Sequence, residues 1–167
     1  METSCLSNEQ TVVVIGYGNP LRGDDGVGQR IAGAVASWGL PGIQAFAEHQ
    51  LTVDMAGLLA GVDTAIFVDA CVAREGEGVK VSPIDLQGAP VSWEGTAHTG
   101  DPRAIIALTG AVYGRCPAAW IVTVPGHNFD LGETLSPGAR RGMTVALRKI
   151  HHLVVTQCTK SASCRTS

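Results

Sequence analysis

Charge is scarce in this chain: Asp, Glu, Lys and Arg make up only 16% of its 167 residues, against a usual share of about 25%. Apolar residues reach 45%, which excludes intrinsic disorder. A basic block is also missing. With 12 Lys and Arg against 15 Asp and Glu the net charge is −3, which argues against nucleic acid or an anionic membrane as the main partner. No apolar run approaches the roughly 20 residues that span a bilayer, and Met1-Glu2-Thr3-Ser4-Cys5 lacks the basic and apolar regions of a secretory signal. A cytoplasmic location is expected. Cys5, Cys71, Cys116, Cys158 and Cys164 show no C-x-x-C spacing, so neither a disulfide framework nor a thiolate zinc site is signalled and the thiols are read as reduced. There is no H-E-x-x-H, no G-x-S-x-G and no P-loop. Asp63-Thr64 is followed by Ala65 rather than the glycine of an aspartic protease motif, and no internal repeat is visible.

Glycine is abundant, 21 of 167 residues, nearly twice the usual ~7%, which points to tight turns and close backbone approaches. Short β-branched runs alternate with segments of helical period, the signature of an α/β sheet. Strands are predicted over Thr11–Gly16, Gly42–Glu48, Thr64–Ala70, Val79–Ile84 and Ala118–Val124. Val27, Ile31, Val35 and Trp38 share one helical face, as do Met55, Leu58, Leu59 and Val62. Asp101-Pro102 and Ser136-Pro137 read as N-caps followed by proline in the first helical turn. Cys71 to Gly78 is too short for a parallel crossover, so the third and fourth strands are expected to form an antiparallel hairpin. The predicted fold is a single α/β domain: a mostly parallel five-stranded twisted sheet with one antiparallel strand and helices on both faces. Residues 1–10 and 156–167 are polar and aperiodic, and are expected to be a mobile N-terminal tail and a disordered C-terminal tail around a domain at 11–155.

Ligands of such sheets gather outside the carboxyl ends of the parallel strands. There the first strand enters Gly16-Tyr17-Gly18-Asn19-Pro20-Leu21-Arg22-Gly23-Asp24-Asp25-Gly26-Val27-Gly28. A dinucleotide loop is a poor fit. Residue 21 is Leu rather than the third glycine of G-x-G-x-x-G, and Asp24 and Asp25 would repel a pyrophosphate. The carboxylate pair suits a cation, or one of the two caps the next helix. Asp69 follows the apolar run Ile66-Phe67-Val68 and reaches the same edge, while His49 and His127 follow strands and His98 lies in the long segment before the third helix. His151 and His152 project about 100° apart and are read as surface residues. Asp and His together offer oxygen and nitrogen ligands suited to nickel or zinc.

These residues resemble a known family. The Gly16 to Gly28 segment, Gln50-Leu51 ahead of a helix, Ile66-Phe67-Val68-Asp69-Ala70 and the downstream His98 are similar to the hydrogenase maturation endopeptidases over about residues 11 to 154. The resemblance implies a five-stranded sheet flanked by helices. It also implies an endopeptidase that removes the C-terminal extension from the nickel-loaded precursor of a nickel-iron hydrogenase large subunit. Carried over by position, Asp25, Asp69 and His98 are the metal ligands through which that precursor is recognised; nickel arrives with the substrate, and no tightly bound cofactor is expected. Where members carry an Asp-Gly-Gly-Thr-like segment, this chain has Glu48-His49-Gln50-Leu51. Asp24 and Glu48 are the candidates for a catalytic general base, alongside a metal that polarises the scissile carbonyl or activates water. The alternatives are a non-catalytic nickel- or nucleotide-binding module and a zinc metallopeptidase.

Overall fold

The computed structural model describes residues 10–86 and 100–163, with side chains as far as Thr156. The expected N-terminal tail thus lies outside the described residues apart from Gln10. Five strands form one sheet in the order β2-β1-β3-β5-β4: β1 (Val12–Tyr17), β2 (Ile43–Glu48), β3 (Thr64–Val72), β4 (Lys80–Pro83) and β5 (Ala118–Gly126). All neighbours are parallel except β4, which runs antiparallel to β5. Four α-helices lie among the described residues: α1 (Val27–Ala36), α2 (Met55–Ala60), α3 (Pro102–Tyr113) and α4 (Pro137–Ser163). This is the α/β architecture read from the sequence.

The central strands are apolar at consecutive positions because both faces of the sheet are covered. Val12, Val14, Ile66, Val68, Val122 and Val124 pack under Val27, Ile31 and Val35 of α1 and Ala139, Ala146 and Ile150 of α4. Their alternates Val13, Ile15, Ala65 and Phe67 pack under Leu59 of α2 and Ile105 and Ile106 of α3. Both predicted caps form: the Asp101 carboxylate accepts the Arg103 N–H at 2.9 Å, and Ser136 Oγ accepts the Ala139 N–H at 3.1 Å. Among the described residues no helix is long and apolar enough to cross a membrane.

Two expectations need correction. The third and fourth strands are not a paired hairpin, because β5 lies between them and pairs with β3 along its whole length, from Thr64↔Ala118 to Val72↔Gly126. That nine-residue ladder takes the edge of β3, and β4 is left to pair with the far side of β5 through Lys80↔Thr123 to Pro83↔Trp120. Pro83 fits there because β4 is an edge strand. The second correction is at the carboxyl end, where α4 continues through residues 156–163 that were read as an aperiodic tail. Main-chain helical hydrogen bonds need no buried face, so the loss of the apolar stripe after Val154 did not mark the helix end.

Candidate functional site

Chain order reverses direction between β1 and β3, so a crevice opens at their carboxyl ends. β1 pairs with β3 only as far as Gly16↔Val68, after which Tyr17 leads away into the glycine-rich loop and Asp69 is left beside the gap. Two glycines make this turn possible. Gly18 has φ +134°, a region that L side chains rarely adopt. A Cβ on Gly28 would lie 2.5 Å from the Val68 carbonyl and 2.6 Å from the Tyr17 carbonyl, so only glycine lets the start of α1 sit on both strand ends. Gln29 then ties the loop to β2, donating to the carbonyls of Gly18 at 2.7 Å and Glu48 at 2.9 Å.

The adjacent aspartates of the loop part company. Asp24 is completely buried. Its Oδ2 accepts the N–H groups of His127 at 2.7 Å and Asn128 at 3.0 Å and the Ser136 hydroxyl at 2.7 Å, while Oδ1 accepts the Ser136 N–H at 2.7 Å. Burial alone would raise its pKa, but these donors together hold it below the usual carboxylate value. Main-chain bonds lace the same loops together: Asp24 N–H to Asn128 C=O at 2.8 Å and Gly23 N–H to Gly132 C=O at 2.6 Å. Asp24 therefore fastens the β5–α4 connection to the glycine loop.

Asp25 turns the other way. One of its oxygens accepts the Asn19 N–H at 2.7 Å, and the side chain faces a cleft of about 430 Å³ that it shares with Asp69, Tyr17, His49, Gln50 and Asp101. Asp69 is half-buried and lines the cleft beside Tyr17. Its pKa is pushed up to about 6: loss of solvent is the main cause, the nearby Tyr17 hydroxyl and Ala70 N–H work against it, and the Asp25 charge adds to it. Burial likewise pushes the Tyr17 phenol upward, helped by the Asp69 charge. Two carboxylates that face one cleft, one of them poorly solvated, are relieved by a bound cation. Both are oxygen donors, and His49 in the same cleft offers a nitrogen.

The structure thus brings Asp25 and Asp69 together and removes Asp24 to the interior. Glu48 closes β2 in register with Tyr17, outside the cleft lining. His49 enters the cleft, whereas His127 is exposed and contributes its main-chain N–H to Asp24. His151 and His152 are exposed, as expected. His98 lies outside the described residues, and among those described no three His, Cys, Asp or Glu side chains are grouped to hold a metal. Sequence reasoning missed Tyr17 and Asp101. The period-two run Val13, Ile15, Tyr17 was a signal for the first, since it places the phenol on the same face as the neighbouring strand's Phe67 and Asp69. Asp101 gave only its capping signal.

No protein-family model matches the chain, and no curated protein matches it in sequence. Solved structures do match in three dimensions. The hydrogenase maturating endopeptidase HybD from E. coli superposes with a TM-score of 0.71 at 16% identity, covering 89% of this chain and 94% of that one. The chain has the fold of these proteases. The [NiFe] hydrogenase maturation protease HycI from Thermococcus kodakarensis gives 0.64 at 22% identity over 89% and 94% of the two chains. The hydrogenase 2 maturation peptidase from a Thaumarchaeota archaeon gives 0.65 at 22% identity over 87% and 98%.

Proposed function

We propose that this protein is a hydrogenase maturation endopeptidase that removes the C-terminal extension from the nickel-loaded precursor of a nickel-iron hydrogenase large subunit. The observation that carries this reading is the shared cleft of Asp25 and Asp69 at the reversal point of a sheet built like that of the maturation proteases. The sequence around it, from Gly16 to Gly28, is the long motif by which the chain resembles that family. In this reading the nickel is cargo of the substrate, held by substrate thiolates, and Asp25, Asp69 and His98 complete its ligand set so that one peptide bond is fixed against the enzyme. Gly100, two residues after His98, lines the cleft, which supports His98 as the third ligand.

The general base is Glu48 rather than Asp24. Asp24 has no solvent access and both its oxygens are engaged, so it has neither a water to activate nor a free lone pair in reach. Glu48 ends the strand next to β1 at the edge where the substrate would lie. To test the function, nickel-loaded and nickel-free precursor are incubated with the protein and the large subunit is weighed by mass spectrometry. Loss of the extension from the loaded form alone is expected, and Asp25→Asn, Asp69→Asn and His98→Ala should each suppress it. Equal trimming of nickel-free precursor would overturn metal recognition, and no trimming of either form would overturn the protease.

A further inference from the structure

Resting on the protease reading above, we propose that the free edge of β2 is the docking strand for the precursor's C-terminal extension, which leaves the cleft and adds to the sheet as an extended strand antiparallel to β2. The two edges of the sheet are built differently. β4 at one edge carries Lys80 and Pro83, two of the devices that keep another chain from pairing with an exposed strand. β2 at the other edge reads Ile43-Gln44-Ala45-Phe46-Ala47-Glu48 and has neither.

Parallel pairing decides which groups of β2 are unused. Its ladder with β1 engages alternate residues, and the bonds at either end fix which ones: the Gly42 carbonyl accepts the Val12 N–H at 2.8 Å, and the Glu48 carbonyl accepts the Gly18 N–H at 3.1 Å. The even-numbered residues therefore face β1, and the N–H and C=O groups of Ala45 and Ala47 point outward. Among the described residues no turn, cap or side chain bonds to them. The strand is nonetheless held in place, with Ile43 and Ala45 packed on the core under α1 and Phe46 on the core of the other face.

Both ends of this edge suit an extended peptide. At the carboxyl end, His49 and Gln50 open directly into the cleft of Asp25 and Asp69. At the amino end lies a hollow of about 520 Å³ lined by Ile43, Gln44, Leu58, Gly61 and Val62, which accepts an apolar side chain. Strands lie about 4.8 Å apart, so an added strand sits roughly 10 Å from β1, a span that about three extended residues cover. The six residues of β2 then guide the peptide for about 20 Å more. Main-chain bonds of this kind supply affinity, and the hollow supplies selectivity for an apolar residue.

The test is the kinetics of processing of nickel-loaded precursor. Ala45→Pro and Ala47→Pro each remove one outward donor and none from the ladder with β1, and proline is tolerated in edge strands. Each should raise KM roughly fivefold or more, the worth of about one hydrogen bond, with kcat kept. A precursor cut back to about three residues beyond the cleaved bond, which spans the cleft without reaching β2, should show a raised KM on the wild type, and the proline variants should add nothing to it. Unchanged KM in both variants, proline and truncation effects that simply add, or a wild-type KM that ignores the truncation would each overturn edge docking; the last needs no variant to fold. A wild-type dimer in sedimentation that either proline makes monomeric would also overturn it, since a second copy would then hold the edge. Absence of trimming by the wild type would instead overturn the protease reading.

Discussion

Asp24 and Asp69 lie at the same edge of the sheet, and both lose solvent on folding, yet their acidities move in opposite directions. Asp24, fully buried, is held below the usual range; Asp69, less buried, rises to about 6. Burial pushes both upward; at Asp24 the hydrogen-bond donors together outweigh it, and at Asp69 they do not. Asp24 accepts four hydrogen bonds, whereas Asp69 gains less from the nearby Tyr17 hydroxyl and Ala70 N–H and also faces the Asp25 charge. The saturated carboxylate is a structural fastener. The undersaturated one keeps lone pairs and unrelieved charge, which is what a ligand needs.

Removing the fastener should have the largest effect. Asp24→Ala leaves the partly buried donors of His127, Asn128 and Ser136 without their acceptor, and a buried donor left unmet costs about 1–3 kcal/mol. Urea denaturation should show a loss of about 3 kcal/mol or more; a loss below about 1 kcal/mol would mean that the loops hold without Asp24. The pH dependence carries the same contrast. A lowered acid such as Asp24 contributes stability that is present at neutral pH and lost as pH falls through its depressed pKa. A raised acid such as Asp69 does the reverse, since the folded state binds more protons between the ordinary value of 3.8 and about 6, so stability falls as pH rises across that window and is level above it.

Asp69→Asn should therefore make the protein more stable above pH 6, by about 1–2 kcal/mol once partial exposure is allowed for, and abolish nickel-dependent processing. Denaturation midpoints at several pH values check it, and a variant less stable than the wild type at pH 7 would break the comparison. The smallest effect on stability is expected from Asp25→Asn. Its carboxylate accepts one main-chain N–H, from Asn19, and an amide oxygen can still accept it. The loss should stay within about 1 kcal/mol, while processing falls as strongly as in Asp69→Asn.

Much of the fold was legible because it rests on local signals: apolar strand runs, two capped helix starts, and a glycine motif whose turns follow from steric need at Gly18 and Gly28. The neighbour of β3 was not legible, because a connection length says that β4 must reverse and says nothing of a strand that arrives some 50 residues later to claim the same edge. The site divides in the same way. Motif and position put Asp25 and Asp69 at one edge of the sheet, where they share a cleft, but nothing local distinguishes Asp24 from Asp25. Their difference is made by His127, Asn128 and Ser136, more than 100 residues away.

That separation has a consequence for how the protein is made. The glycine loop leaves the ribosome early, but the groups that close around Asp24 follow 103 to 112 residues later. At roughly 5–20 residues per second the loop waits about 5–20 s for the partners that complete it. Until α4 begins, the segment that carries Asp25 has no floor, and a nascent chain cannot present both aspartates in their final arrangement. Site assembly is thereby delayed until the β5–α4 connection has been made, and a chain that stops short of Ser136 has no finished cleft.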